Sequence, residues 1–114
     1  MEYSEAKDLY TQLIATLSGV ELKGKTMPYT SLNGHMYSFL SKEGKVGLRL
    51  SSDDLSEAIQ AYDTELMVQH GRTMKEYLRI PESLLNDIGN LATLLQQSHD
   101  YVATLKPKPS KKKT

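Results

Sequence analysis

Cysteine and tryptophan are absent from this sequence of 114 residues, and phenylalanine occurs once. Without cysteine the chain has no disulfide bonds, thiolate metal ligands or thiol nucleophiles, which excludes zinc-finger and dithiol redox classes. Long apolar runs are missing too, because none approaches the roughly 20 residues of a membrane-spanning helix. Glu2 and Glu5 stand where a secretory signal would be basic. These absences predict a cytoplasmic protein without a membrane segment or a bound cofactor.

Negative charge is lacking only at the end of the chain. The sequence carries 14 basic and 14 acidic residues, for a formal net charge of zero. Five of the basic residues lie beyond Leu105, where no acidic residue occurs: Lys106, Lys108, Lys111, Lys112 and Lys113. Residues 1–105 therefore hold nine basic groups against 14 acidic groups, a net charge of −5. An acidic body of this kind does not attract a phosphate backbone, whereas the lysine tail predicts weak, salt-sensitive nucleic-acid binding.

The length of the chain suits one domain rather than two. Residues 106–114 contain no apolar side chain, and they alternate lysine with proline before three consecutive lysines. Such a segment buries too little apolar surface to fold. The sequence therefore predicts a single domain over residues 1–105 and a disordered Lys/Pro tail over residues 106–114.

Apolar residues recur every three or four positions in two long stretches, which is typical of helices with one buried face. The first stretch covers residues 3–17, and Gly19 suits the end of that helix. The second begins at Pro81, whose missing N–H costs nothing in a first helical turn, and it continues to Leu105. Gly89 lies inside this second predicted helix, where it is about 1 kcal/mol less favourable than alanine.

Between these helices the pattern changes to strands separated by turn residues, which are Gly24, Pro28, Asn33, Gly34 and Gly44. Residues 35–41 and 46–50 predict a hairpin, because residues 42–45 have the length and the glycine of a hairpin connection. The predicted faces of the first hairpin strand are Met36 with Leu40 on one side and Tyr37 with Phe39 on the other.

A short helix and two more strands follow. Residues 51–54 offer hydroxyl and carboxylate groups that cap a helix start, and residues 55–62 carry its apolar stripe. Residues 66–68 and 74–80 predict strands joined through a turn at Gly71. The order α-β-β-β-α-β-β-α, with strands arriving as hairpins, predicts a two-layer α+β fold with an antiparallel sheet of about five strands and three helices.

The order of four segments along the chain indicates a family. The segments are residues 25–29, 33–39, 45–50 and 71–81. The second has an aromatic core after a glycine, and the fourth ends in a proline before a helix. Over roughly residues 20–108 the chain resembles the N-terminal domain of TfoX/Sxy-like proteins. The resemblance implies a small α+β fold with a curved antiparallel sheet. Its members with the best-known role regulate natural competence genes. The chain departs from the family at residues 27–31, where a Met-Phe-Gly-Gly-like segment is usual.

One candidate ligand surface lies on the last predicted strand and the turn before it. Lys75, Tyr77 and Arg79 alternate along the strand, and His70 and Arg72 flank Gly71. A small cationic surface that includes an aromatic ring suits a phosphate or a carboxylate. The alternative is a solvated strand face, because long basic side chains commonly cover a sheet in this way. For the lysine tail, the alternative to nucleic-acid binding is a solubilising terminus.

Other polar residues do not form a recognisable reactive centre. The three histidines, His35, His70 and His99, lack the spacing of a metal site. Asp53 and Asp54 have the position of helix caps rather than of paired catalytic carboxylates. The motif order and the missing catalytic constellation predict a regulatory or protein-interaction module without enzymatic activity or cofactor, and they leave its partner and oligomeric state open.

Overall fold

The computed structural model describes residues 2–17, 19–24 and 27–107. Lys25 and Thr26, which belong to the TfoX-like signal, and residues 108–114 of the tail lie outside the described residues. The elements are α1 (Tyr3–Ile14), β1 (Tyr29–Leu32), β2 (His35–Leu40), β3 (Val46–Arg49), α2 (Ser52–Ala61), β4 (Leu66–Gln69), β5 (Arg72–Ile80), α3 (Glu82–Leu85) and α4 (Ile88–Ala103). The predicted α+β class is confirmed.

The five strands form one open, antiparallel sheet in the order β1-β2-β3-β5-β4. Two of its hairpins turn through consecutive residues with positive φ. These are Asn33 (56°) with Gly34 (83°), and His70 (55°) with Gly71 (74°). Such turns match the right-handed twist of the strands they join, which explains why glycine occupies the second position in both. The turns predicted at Asn33-Gly34 and Gly71 are confirmed.

Helices cover one face of the sheet, and the main core lies between the two layers. α1 and α4 both contact β2, and α2 contacts β5. The core side chains come from helices and strands alike, among them Leu13, Leu48, Leu78, Leu91 and Leu95, which are all completely buried. Among the helices of the described residues, none is long and apolar enough to span a bilayer.

A β-bulge in β2 corrects the predicted faces of that strand. Thr30 pairs with Ser38 while Ser31 pairs with Met36, so Tyr37 is the extra residue. A bulge of this kind turns two successive side chains toward the same face. Tyr37 therefore joins the main core and meets the ring of His99 on α4. The prediction that Tyr37 and Phe39 share a face is wrong.

The single long helix predicted after Pro81 is two helices. α3 ends at Leu85, and α4 begins at Ile88. Asp87 caps α4, because its side chain accepts a hydrogen bond from the Asn90 backbone N–H at 3.5 Å and from the Asn90 side-chain amide at 2.7 Å. An aspartate that bonds to backbone ahead of it favours a helix start over a helix interior. The described residues thus contain four helices, one more than predicted.

The β4–β5 hairpin bends across the face of the sheet that carries no helix. The pairing of the two strands shifts between Leu66 and Val68. Near the hairpin tip, the Gln69 side-chain amide lies 3.7 Å from the sulfur of Met27, which precedes the strand at the opposite edge of the sheet. Met67 on the inner side of the bend is 1% exposed, although it lies outside the main core. The hairpin therefore covers a second, smaller apolar layer.

Candidate functional site

The structure leaves part of the predicted cationic surface open. His70 lies in the β4–β5 turn, and Arg72 and Lys75 lie on the first half of β5; all three side chains are exposed. No salt bridge joins any of them to an acidic residue within the part of the chain that the structure describes. Their arrangement is that of a solvated hairpin end, and the ligand role stays a prediction.

Of the remaining two members of that surface, Tyr77 is tied into the sheet, whereas the Arg79 side chain makes only a loose contact. The Tyr77 hydroxyl donates to the Met36 carbonyl at 2.5 Å, and its ring packs edge-on against Phe39. Burial raises the pKa of Tyr77 to about 12, so the hydroxyl stays a donor at neutral pH. Arg79 places its Nε 3.6 Å from the Glu65 carboxylate, beyond hydrogen-bond distance. Tyr77 is therefore not a free aromatic platform.

Among the five tail lysines, Lys106 belongs to the described residues. Lys106 is exposed, and its carbonyl oxygen lies 2.8 Å from Nε2 of His35. The other lysines of the predicted nucleic-acid contact lie outside the described residues: Lys108, Lys111, Lys112 and Lys113. Weak nucleic-acid binding through the tail therefore stays a prediction.

The three histidines occupy separate places in the fold. His35 begins β2, His70 lies in a turn, and His99 lies on α4, where its Nδ1 is 3.3 Å from the Asp100 carboxylate. Across residues 2–17, 19–24 and 27–107, no group of three or more histidine, aspartate or glutamate side chains is placed to hold a metal ion.

A polar cleft of about 360 Å³ opens between α4, β1 and the segment that follows α1. Lys23 donates from its ammonium group to the Ser31 hydroxyl at 3.3 Å at this cleft. Buried Tyr37, half-buried His99 and exposed Glu21 also line the cleft. Both an acidic and a basic residue, Glu21 and Lys23, line the cleft, so it does not present the single sign of charge that selects an anion.

A chain of buried hydroxyl groups ties α1 to the sheet. The Ser38 hydroxyl lies 2.7 Å from the Tyr10 hydroxyl and 2.6 Å from the Thr30 hydroxyl. All three residues are completely buried. Burial raises the pKa of Tyr10 well above its ordinary value, and its hydrogen bond with Ser38 only partly offsets that effect. Tyr10 is therefore a neutral structural group rather than a general base.

A second polar cluster joins β3, β5 and α4 at the edge of the main core. Arg49 donates to the Glu76 carboxylate through Nε at 2.6 Å and approaches the same oxygen through Nη2 at 2.6 Å. The Tyr101 hydroxyl donates to the other carboxylate oxygen at 3.0 Å. The Arg49 guanidinium also lies 5.8 Å from the centre of the Tyr101 ring, within cation–π range. Glu76 thus connects α4 to the sheet.

Replacing Glu76 with alanine is expected to lower the free energy of unfolding by about 1 kcal/mol, because the change removes a half-exposed ion pair and a hydrogen bond. Urea denaturation followed by circular dichroism measures this loss, which should shrink in about 1 M salt as screening weakens the wild-type pair. Glu57→Ala, at an exposed position on α2, is the matched control. An equal loss in both variants contradicts the assigned role of Glu76.

The edge strand β4 presents backbone groups that the sheet itself does not use. Glu65 accepts from the Arg79 N–H at 3.0 Å, so its backbone groups face β5. Gln69 flanks the two-residue turn and faces Arg72, so its groups also point toward β5. Backbone direction alternates along an antiparallel strand. The N–H and C=O groups of Leu66 and Val68 therefore point away from the sheet.

Val68 gives this edge its apolar character. Its side chain is 52% exposed, and it is the exposed large hydrophobic residue within the described part of the chain. The bend of the hairpin explains this, because it turns Met67 inward and leaves Val68 on the outer side. The sequence analysis missed this site. Its signal is the uncharged run Leu66 to Gln69, which becomes informative only once β4 is known to be an edge.

The opposite edge of the sheet, strand β1, is partly covered by another segment of the chain. The Lys23 N–H donates to the Tyr29 carbonyl at 2.8 Å, and the Tyr29 N–H donates to the Lys23 carbonyl at 2.9 Å. The segment that follows α1 thus covers the start of β1 and places a lysine there, a common way of protecting an edge strand. Neither edge strand contains a charged residue. Among the described residues, a neighbouring segment bridges β1, whereas the outer side of β4 has no such bridge.

Known proteins give no information on the function of this chain, so the proposal below is argued from its geometry. No protein-family model, no curated protein and no solved structure matches this chain.

Proposed function

We propose that this chain is a non-enzymatic regulatory or protein-interaction module of the TfoX N-terminal-domain type, and that it binds an extended segment of a partner protein along the β4 edge. The observation that carries the proposal is the outward direction of the Leu66 and Val68 backbone groups beside an exposed valine side chain. Main-chain hydrogen bonds at a sheet edge give affinity in this mode of recognition, and alternate side chains give specificity.

The composition of β4 supports this role. Natural edge strands are usually protected by lysine, proline or an inward charge, because a free edge pairs with other chains. Leu66-Met67-Val68-Gln69 has none of these features. The nearest charged residues are Glu65 before the strand and Arg72 after the turn, so a bound segment would lie on an apolar centre between an acidic and a basic end.

The anchoring of the hairpin supports the role as well. Gln69 contacts Met27 across the sheet, and Met67 is buried beneath the hairpin. These contacts hold β4 in an extended conformation before any partner arrives. Less conformational entropy is then lost on binding, which strengthens a weak edge contact.

A capture experiment tests the proposal. The full-length chain is immobilised as wild type, as Val68→Lys and as Gln12→Lys, where Gln12 is an exposed residue of α1. Proteins retained from cell lysate are quantified by mass spectrometry. We expect Val68→Lys to reduce specific retention by about tenfold or more, equivalent to about 1.4 kcal/mol, because a lysine charge must then be buried against the partner segment. Gln12→Lys should retain the wild-type level.

Hydrogen exchange locates the contact in the retained complex. Binding along β4 should slow exchange of the Leu66 and Val68 amides, because these two N–H groups point away from β5 in the free chain. Equal retention by wild type and Val68→Lys, or protection confined to other parts of the chain, contradicts the proposal.

A further inference from the structure

We infer that one occupant of the β4 edge is the β4 edge of a second copy of this chain, paired antiparallel across a two-fold axis; the inference rests on the proposed function and names a partner for it. Identical edges can satisfy each other only in a self-complementary arrangement, and a two-fold axis provides one. Antiparallel pairing of two β4 strands continues the sheet from one copy into the other.

The register of this pairing follows from the backbone directions. Directly opposite residues in an antiparallel pair are either both hydrogen-bonded or both not. Only Leu66 and Val68 direct their groups outward within β4. The register that uses both residues in each copy places Leu66 opposite Val68 of the second copy and puts Met67 on the axis. The exposed Val68 side chain then packs as a cross-strand pair beside Leu66 of the second copy; Leu66 is itself half-buried against the main core of its own copy.

Charge complementarity supports the antiparallel direction. Asp63 and Glu65 lie on the entry side of β4, and His70 and Arg72 lie on its exit side. All four side chains are exposed. Antiparallel pairing brings the acidic end of one strand to the basic end of the other, twice about the axis. Parallel pairing would instead place like charges together, which is unfavourable.

The size of the contact sets the expected strength. Two four-residue edge strands bury well under the roughly 1,000 Å² of a stable interface. Self-pairing should therefore be weak, with dimers detectable only toward millimolar concentration. A longer partner segment would compete with the second copy for the same backbone groups.

Sedimentation measures the self-pairing directly. Wild-type chain is examined from about 0.05 to 2 mM, a range chosen for contacts below the standard interface size. We expect the wild-type chain to move from monomer toward dimer as its concentration rises. The association constant should be at least tenfold lower for Val68→Lys, and it should equal the wild-type value for Val68→Ile and Gln12→Lys. In parallel, exchange of the Leu66 and Val68 amides should slow with rising concentration, whereas exchange of the Met67 and Gln69 amides should not change.

A cross-linking variant tests the register. Because the natural sequence has no cysteine, Val68→Cys introduces a single thiol. Diagonal neighbours across paired strands lie about 7–8 Å apart, which a short bis-maleimide spans. Val68→Cys should therefore cross-link into dimers at high concentration, and Gln12→Cys should not.

Monomeric behaviour of the wild type up to 2 mM, or equal cross-linking of the two cysteine variants, overturns self-pairing. The capture experiment separates this result from the fate of the proposed function. If Val68→Lys loses the retained proteins while wild type stays monomeric, the interaction module stands and its occupant is another protein.

Discussion

Replacing Ser38 with alanine is expected to lower the free energy of unfolding by about 2–4 kcal/mol, since one change leaves two buried hydroxyls without their partner. The Ser38 hydroxyl lies within 2.7 Å of the Tyr10 hydroxyl and 2.6 Å of the Thr30 hydroxyl. None of the three side chains reaches water, since each residue is completely buried. Urea denaturation followed by far-ultraviolet circular dichroism gives the measured difference.

Removing the partners as well should recover much of that loss. In Tyr10→Phe/Ser38→Ala/Thr30→Val all three hydroxyls are removed, so none of them is left buried without its partner. We expect this triple variant to be more stable than Ser38→Ala alone, which is the opposite of additive behaviour. A loss below about 1 kcal/mol for Ser38→Ala would mean that the hydroxyl chain adds little to the attachment of α1.

Local signals were sufficient for most elements of the fold. Asn33-Gly34 and Gly71 predicted their turns because positive φ at the second turn position nearly demands glycine. The three- and four-residue apolar spacing predicted α1 because only a helix places those side chains on one face. In each case the physical cause lies within a few neighbouring residues.

The errors arose where distant residues decide the structure. The bulge at Tyr37 depends on how β2 pairs with β1, and nothing in the alternation of His35 to Leu40 reveals it. Similarly, the break before α4 depends on whether Asp87 bonds ahead to Asn90 or lies on a continuous helix. An apolar stripe that runs through both helices hides the choice.

The candidate site was the least predictable feature. Edge status belongs to the order of strands in the sheet, and β5 lies between β3 and β4 although β4 precedes it in the chain. The sequence therefore predicts a ligand surface at the charged residues around Gly71, because their side chains suit an anion. In the sequence Val68 has the pattern of an ordinary strand residue, and only the three-dimensional arrangement places its side chain on the outer side of the bend.

The residues on the face of the sheet beneath the bent β4–β5 hairpin affect both the stability of the fold and the position of the β4 edge. Phe39 is 1% exposed on this face, where its ring centre lies 5.7 Å from that of Tyr77. Gly47 lies directly opposite Phe39 on the neighbouring strand. Anything that lifts the Phe39 ring away from the sheet also disturbs the layer on which β4 and β5 rest.

Replacing Gly47 with alanine is expected to lower the free energy of unfolding by about 1–3 kcal/mol through overpacking. A Cβ atom at this position would lie 2.5 Å from Cε1 of the Phe39 ring. The ring is buried and held against Tyr77, so it cannot move away freely. The same displacement should loosen the hairpin, which thermal unfolding and faster amide exchange at Met67 would both report.

Two further variants test whether the Phe39 ring causes the loss of stability in Gly47→Ala. Phe39→Leu shortens the opposing side chain, so Gly47→Ala should cost less in that background than in the wild type, as coupled neighbours do. Gly89→Ala on α4 is the control, because the nearest atom to its added Cβ is the Asp87 carboxylate at 4.0 Å. There alanine should stabilise the chain by up to about 1 kcal/mol through its higher helix propensity. If Gly47→Ala also stabilises, or if Phe39→Leu leaves its cost unchanged, the Phe39 ring is not held over Gly47.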